Sequence, residues 1–133
     1  MVVELIKTDV LYNELSYQII GSAFSVFNDL GYGHLEKTYQ KALEQEFVKR
    51  GINFKREFYI PVKYINKIVA QNYFDFLVDE KVIVEIKRKN FFSLNDIEQI
   101  KKYLIAANLQ LAILILFTEN GVRQKRIINL EVR

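Results

Sequence analysis

The alternation of apolar and polar residues divides the chain into helical and extended segments. Apolar residues recur at steps of three and four over residues 12–30, 34–50 and 93–108, which is the spacing of one helix face. The other segments alternate with period two or are continuously apolar, and they predict strands at 54–65, 67–78, 81–88, 111–117 and 123–132. The predicted order is α-α-β-β-β-α-β-β, an α/β (α+β) fold with a mixed central β-sheet flanked by helices.

Two of these strands are predicted to form the centre of the sheet. Residues 111–117 are continuously apolar, which is typical of a strand buried on both faces. Residues 81–88 are rich in valine and isoleucine, and a helix separates them from 111–117, so the two strands should be parallel with a right-handed connection. Residues 54–65 contain Pro61, which favours a position near the sheet edge.

The stretch 72–89 reads as a β-hairpin with a polar turn. If Val78 pairs with Val82 across a three-residue loop, Asp75 faces Glu85 on the neighbouring strand. A slip by one residue would move Asp75 among buried aliphatic side chains, where an unpaired carboxylate is costly. The pattern therefore predicts the register that opposes the two carboxylates.

In this register Asp75, Glu85 and Lys87 gather on one face, and Phe74 and Phe76 are expected together on the other. Directly opposed residues have Cβ atoms roughly 4.5–5.5 Å apart. Two carboxylates at that separation repel each other unless a cation lies between them, so the arrangement favours a divalent metal with a lysine beside it. The alternative interpretation is a solvated hairpin face with ordinary charges, which the apolar setting of the strand disfavours.

Two further groups of residues could carry chemistry. Gly33-x-x-Glu36-x-x-Tyr39 opens the second helix, and Gln99 and Tyr103 share a face of the third at positions i and i+4. Each also has a structural explanation. Glu36 could be the N3 residue of its helix, where a carboxylate suits the helix dipole. Gln99 could be solvated and Tyr103 half-buried.

Length and composition limit the possible classes of protein. With 133 residues, one proline and five glycines, residues 1–133 are expected to form one domain, with 1–10 as a loosely held arm. The chain has no cysteine, which argues against a disulfide scaffold and a thiol nucleophile, and its one histidine excludes a His-rich metal site. No apolar run could span a bilayer and no signal pattern is present, so we expect a cytoplasmic protein with no membrane partner.

Charge is distributed unevenly along the sequence. Residues 1–80 carry nine Lys/Arg and eleven Asp/Glu, whereas residues 81–133 carry ten and five. The basic half contains Lys87, Arg88 and Lys89. This asymmetry favours a polyanionic partner, although scattered surface lysines would give the same count.

Taken in order, these motifs resemble the GxxExxY family, which is placed in the PD-(D/E)xK nuclease superfamily. The resemblance covers about residues 13–130 and rests on Gly33-x-x-Glu36-x-x-Tyr39, Asp75, Glu85-x-Lys87 and Gln99-x-x-x-Tyr103, with Phe74 in place of the proline that often precedes the aspartate. It implies a restriction-endonuclease-like core and a metal-dependent nuclease that hydrolyses phosphodiester bonds, with DNA favoured over RNA as the substrate.

The resemblance also implies roles for individual residues. Mg²⁺, or Mn²⁺ in its place, would bind the metal ligands Asp75, Glu85, the Ile86 carbonyl and Glu36. Lys87 would act on the transition state and Gln99 would hold Lys87 or the phosphate. The residues expected to contact nucleic acid are Tyr103, Lys89, Lys101 and Arg88.

Two other interpretations stay open. The chain could be a catalytically inactive domain that keeps the nuclease fold and binds nucleic acid or protein. It could also be an unrelated metal-dependent hydrolase or a structural domain. Small nucleases of this fold often pair two active sites, so a homodimer is a further expectation that the sequence does not decide.

Overall fold

The computed structural model describes residues 11–131, so the predicted arm at residues 1–10 lies outside it. Within residues 11–131, three helices and five strands follow one another in the predicted order. They are α1 (Asn13–Leu30), α2 (Glu36–Arg50), β1 (Phe54–Tyr64), β2 (Lys67–Val78), β3 (Val82–Lys87), α3 (Leu94–Ala107), β4 (Leu111–Thr118) and β5 (Gly121–Ile128). The largest difference from prediction is at β5, which ends at Ile128 instead of residue 132.

The five strands form one mixed sheet in the order β1-β2-β3-β4-β5. β3 and β4 are parallel, and the other neighbouring strands are antiparallel. The parallel pair was predicted from the intervening helix, and β3 occupies the middle of the sheet. All eight residues of β4 are buried, as its continuous apolar run predicts, and β1 lies at an edge.

Helices cover both faces of the sheet and create two cores. α1 and α2 pack on one face through Ile19, Ala23, Tyr39, Leu43 and Phe47. α3 packs on the other face through Ile100 and Leu104, against residues such as Ile83 and Leu114. None of the helices within residues 11–131 is long and apolar enough to cross a bilayer.

α2 begins two residues later than the pattern predicts. Leu35 is its N-cap in an extended conformation, so Glu36 is the first helical residue and not the third. Three residues further on, the Tyr39 hydroxyl donates a 2.6 Å hydrogen bond to the Gly31 carbonyl, and its buried ring stacks on Phe117. Tyr39 therefore anchors the loop that leads into α2.

The expectation that Phe74 and Phe76 share a face of β2 is wrong. Phe76 packs against Phe47 of α2, with ring centroids 5.1 Å apart, whereas Phe74 packs against Tyr103 of α3 at 4.8 Å. The neighbouring strand β1 is irregular beside these residues, because Glu57 has a φ of 51° in the left-handed region. Such a residue interrupts the regular pleat, so period-two alternation does not extend across it.

Candidate active site

The site begins where backbone pairing between β2 and β3 gives way to side-chain contacts. The pairing runs from Val78 and Val82 to Phe76 and Val84, which is the predicted register. At the next step the Asp75 N–H donates to Glu85 Oε1 at 2.8 Å. One carboxylate thus accepts a backbone N–H of the opposite strand.

Asp75 is held in the same way, by contacts to both of its carboxylate oxygens. The Ile86 N–H donates to Asp75 Oδ2 at 2.7 Å, and Gln40 Nε2 donates to Oδ1 at 3.0 Å. Gln40 lies on α2 one turn after Glu36, so the two side chains share a helix face. Sequence reasoning missed Gln40, although this i, i+4 spacing from Glu36 was available.

Glu36 approaches the site from the exposed first turn of α2. Its Oε2 accepts a 3.4 Å hydrogen bond from the Arg88 N–H, just beyond the end of β3. The Arg88 guanidinium in turn donates to the His34 carbonyl at 3.1 Å and lies 6.0 Å from the centre of the Tyr32 ring. Arg88 therefore connects the end of β3 with the loop before α2.

Burial and mutual repulsion dominate the electrostatics of the carboxylates. Burial raises the pKa of Asp75 to about 6, with a further contribution from the charge of Glu36. Burial also raises the pKa of Glu85 to about 8, and the charge of Asp75 adds to it. Hydrogen bonds from backbone N–H groups and the charge of Lys87 lower both pKa values without cancelling the increase. The pair therefore retains a proton near neutral pH.

Lys87 lies between these carboxylates and the start of α3. Its side chain is 27% exposed, and its Nζ lies 3.9 Å from Asp96 Oδ1. Lys89 forms an ion pair with the other oxygen of Asp96. Burial raises the pKa of Asp96, but hydrogen bonds from Lys89 and Ser93 together with the charge of Lys87 leave it below its usual value. Sequence reasoning missed Asp96. The one feature of the sequence that indicated it is its position in the first turn of α3, after the N-cap Ser93.

Gln99 and Tyr103 lie together on the face of α3 that is directed toward β1 and β2. Gln99 hydrogen-bonds the Tyr103 hydroxyl, which also donates to Asn72 Oδ1 at 3.3 Å. Burial and the charge of Glu85 raise the pKa of Tyr103, so this hydroxyl senses the carboxylate site. The expected contact between Gln99 and Lys87 is not among the hydrogen bonds of the described residues.

A cleft of about 430 Å³ separates α3 from β1 and β2 beside the site. Gln99, Tyr103 and Asp96 contribute to its wall, together with Lys102. Lys101 instead forms an exposed 3.5 Å ion pair with Glu98, and it does not line this cleft. Among the basic residues of α3, Lys102 is thus the better placed toward the cleft.

The family to which the chain belongs follows from a comparison with protein-family models. The model of the PD-(D/E)XK nuclease superfamily matches residues 13–128, a range that contains all the candidate site residues. The chain belongs to the PD-(D/E)XK nuclease superfamily. No curated protein matches the sequence significantly.

Solved structures support the PD-(D/E)XK fold at low sequence identity. A protein whose structure is titled SSO0001 is 16% identical with a TM-score of 0.58, over 70% of this chain and 49% of that one. An alkaline exonuclease (LHK-Exo) from Laribacter hongkongensis is 14% identical with a TM-score of 0.52, over 70% of this chain and 54% of that one. The chain thus corresponds to about half of each of these proteins.

PD-(D/E)XK nucleases generally use divalent metals. Within residues 11–131, no three His, Cys, Asp or Glu side chains are grouped closely enough to hold a metal ion. Asp75 and Glu85 are adjacent, while Glu36 acts on them through its charge. The available donors are carboxylate oxygens and the carbonyl of Ile86, which suit a hard cation. A cation would also relieve the repulsion that raises the carboxylate pKa values.

Proposed function

We propose that this chain is a metal-dependent nuclease of the GxxExxY group that hydrolyses phosphodiester bonds in DNA. The observation that carries the proposal is the burial of Asp75 and Glu85 against each other, with raised pKa values and Lys87 beside them. A structural role does not require two carboxylates to be buried at such cost. Perturbed pKa values of this kind cluster at functional sites.

Asp75, Glu85 and the Ile86 carbonyl are the residues that would hold Mg²⁺, or Mn²⁺ in its place, with Glu36 completing the set directly or through water. A bound divalent cation polarises a phosphate and lowers the pKa of its water. The residues of the chain prepare that site. The Ile86 N–H and Gln40 fix the orientation of the Asp75 carboxylate before any metal arrives.

Lys87 is the residue to which we assign transition-state stabilisation. The Lys87 ammonium group forms an ion pair with Asp96. It remains close enough to Asp75 and Glu85 for its charge to lower the pKa values of both carboxylates. A preorganised cation of this kind favours the negative charge that develops on a phosphate during hydrolysis. We assign contacts with the nucleic-acid backbone to Lys102 and Tyr103, which line the cleft, and to Lys89, which pairs with Asp96 on the cleft wall. A homodimer and a cytoplasmic location stay predictions.

One set of contacts favours the alternative of a catalytically inactive binding domain. Gln40 occupies one oxygen of Asp75, and Asp96 partly neutralises Lys87. Glu36 does not join Asp75 and Glu85 in a metal-binding group within residues 11–131. An inactive domain could keep all these contacts while binding nucleic acid through Lys89 and Lys102.

Cleavage assays separate the two functions. The purified protein is incubated with supercoiled, linear and single-stranded DNA and with RNA, in Mg²⁺, Mn²⁺ or EDTA. We expect cleavage of DNA only with metal, and a loss of about 10²–10³-fold in Lys87→Ala, the usual cost of removing one preorganised electrostatic group. Lys101→Ala is the matched control, because Lys101 is exposed and does not itself line the cleft.

The outcomes discriminate clearly. If the parent protein cleaves no substrate with either metal, the inactive binding domain is the better description. Equal cleavage by the parent and Lys87→Ala would assign the activity to a contaminant or to another site. Thermal melting of both variants shows whether a lost activity reflects a lost fold.

A further inference from the structure

The hairpin of β1 and β2 extends well beyond the rest of the sheet. β1 and β2 pair from Phe54 and Val78 to Tyr64 and Lys67, with a register shift between Val62 and Lys63. β3 pairs with β2 only at residues 76–78. Residues 59–73 thus form a two-stranded ribbon, which we call the β1–β2 ribbon. An isolated two-stranded hairpin is marginally stable in water, so such a ribbon is usually stabilised by something that packs on it.

The surface of the β1–β2 ribbon is rich in exposed aromatic and aliphatic side chains. Tyr59 and Tyr73 are paired across the strands with ring centroids 5.2 Å apart, and Tyr73 is 57% exposed. The other large exposed apolar residues of the ribbon are Val62, Tyr64, Ile65, Ile68 and Val69. This is a larger apolar surface than a solvated hairpin needs.

The tip of the ribbon places one of these residues at its outermost point. Ile65 and Asn66 form a two-residue turn with φ values of 49° and 60°. A β-branched residue seldom adopts a positive φ, and such turns usually contain Asn-Gly. Ile65 is 76% exposed there, so no contact within the described chain explains its choice.

Charge indicates which kind of partner the ribbon fits. Residues 58–74 contain Lys63 and Lys67 and no aspartate or glutamate. A second copy would meet this surface with like charge, whereas a polyanion is complementary to it. Lysines interleaved with exposed tyrosines are the combination that single-stranded nucleic acid requires, because phosphates meet the ammonium groups and unpaired bases stack on the rings.

The face of the ribbon opposite Tyr59 and Tyr73 borders the candidate active site. Val62, Ala70 and Asn72 form one wall of the 430 Å³ cleft, and α3 forms the other. The hydrogen bond from the Tyr103 hydroxyl to Asn72 links the two walls. Asp96 also lines this cleft, and Lys87 Nζ lies 3.9 Å from Asp96 Oδ1, so a strand lying along the cleft would reach Lys87.

We propose that the β1–β2 ribbon is an arm that binds a single strand of nucleic acid on the face of Tyr59 and Tyr73 and passes it over the ribbon edge to the α3 cleft, which the opposite face lines. The proposal rests on the proposed function for its purpose. It makes a separate prediction about binding, because the arm should hold a strand even where no bond is cleaved.

The test measures binding of fluorescein-labelled oligo(dT) and of a duplex of equal length in EDTA, where metal-dependent cleavage is off. The first variant is Lys63→Gln with Lys67→Gln. Its matched control is Lys49→Gln with Lys81→Gln, since Lys49 lies in the last turn of α2 and Lys81 follows β2 at the end away from the ribbon tip. Losing two phosphate contacts should reduce the slope of log K against log salt by about 1.4, at about 0.7 for each contact with a single strand. The control should leave the slope unchanged.

A second variant, Tyr59→Ala with Tyr73→Ala, tests stacking. We expect it to weaken oligo(dT) binding by about tenfold or more and to leave the salt slope unchanged, because stacking involves no counterion release. Thermal melting verifies that each variant is folded. A folded variant with parental affinity would overturn the assignment of the ribbon.

Other outcomes would also overturn the proposal. These are tighter binding of the duplex than of oligo(dT), an equal change of slope in the control, or no binding by the parent. Sedimentation velocity tests whether the ribbon instead joins two copies of the chain. In that case the ribbon variants would become monomeric while their affinity for the oligonucleotide stayed the same. The nuclease proposal is judged separately by Lys87→Ala, so a protein that binds through the ribbon without cleaving would refute only the proposed function.

Discussion

The strands β2 and β3 contain two regions with opposite energetics, one step apart in register. In the first, residues 76–78 pair with 82–84, and all six side chains are buried and apolar. In the second, Asp75 and Glu85 face each other, and their carboxylates accept backbone N–H groups from the opposite strand. We call these the sealed region and the open region.

The difference shows how one strand pair can supply both stability and chemistry. The side chains of the sealed region are removed from water, and its backbone groups form the regular hydrogen bonds of an antiparallel strand pair. In the open region burial works against the charged groups and raises the pKa values of Asp75 and Glu85. The open region is therefore costly in the metal-free protein, and the rigid sealed region beside it holds the carboxylates in place.

The largest effect should come from truncation in the sealed region. Phe76 is fully buried and packs against Phe47, Phe54 and the Arg56 guanidinium. Phe76→Ala should reduce the free energy of unfolding by about 3–5 kcal/mol, since it removes transfer energy and leaves a cavity. Urea denaturation measures the loss.

A matched aromatic residue on the surface serves as the control for this truncation. Phe91 is 75% exposed in the loop before α3, so Phe91→Ala should change the stability by less than about 0.5 kcal/mol. Equal losses in the two variants would show that the sealed region does not carry the stability assigned to it.

Metal binding should reverse the cost of the open region. A ligand that binds only the folded state adds about 2.7 kcal/mol of stability at 100 times its Kd. Mg²⁺ or Mn²⁺ should therefore raise the melting temperature of the parent protein, and Asp75→Asn should abolish the rise. Asp79→Asn, in the turn after β2, is the control and should keep it. A parent protein with no metal-dependent shift would contradict an assembled metal site.

Much of the fold could be predicted because burial in a sheet leaves a periodic record. The continuous apolar run at 111–117 identified β4, and the cost of burying a carboxylate selected the register that opposes Asp75 and Glu85. Both inferences depend on strong local energies. The parallel pairing of β3 and β4 followed from chain geometry alone.

The remaining features depend on contacts between distant residues. Lys87 reaches Asp96 and Asp75 reaches Gln40 only after the helices dock on the sheet. Nothing in the local pattern indicated that Phe74 and Phe76 would enter different cores beside the left-handed Glu57. The protruding ribbon was also missed, because alternation predicts a strand whether or not other strands pair with it.

The most specific effect concerns the pH dependence of the metal-free protein. Both carboxylates have folded-state pKa values above their ordinary ones, about 6 for Asp75 and about 8 for Glu85. The folded protein therefore binds more protons than the unfolded chain between about pH 4 and pH 8. Stability should fall as pH rises through this window, by at most about 1.4 kcal/mol per pH unit for each group.

Glu85→Gln should flatten this profile, because it removes one titrating group and the repulsion on the other. In EDTA the variant should be about as stable as the parent at pH 5 and more stable at pH 8, as measured by urea denaturation at half-unit steps. The exposed carboxylate Glu119 provides the control, since Glu119→Gln should keep the parental slope. With saturating Mg²⁺ the order at pH 8 should reverse, because only the parent keeps both carboxylate ligands. If the stability of the metal-free parent instead rose between pH 5 and pH 8, the open region would not carry the cost assigned to it, and the contrast with the sealed region would fail.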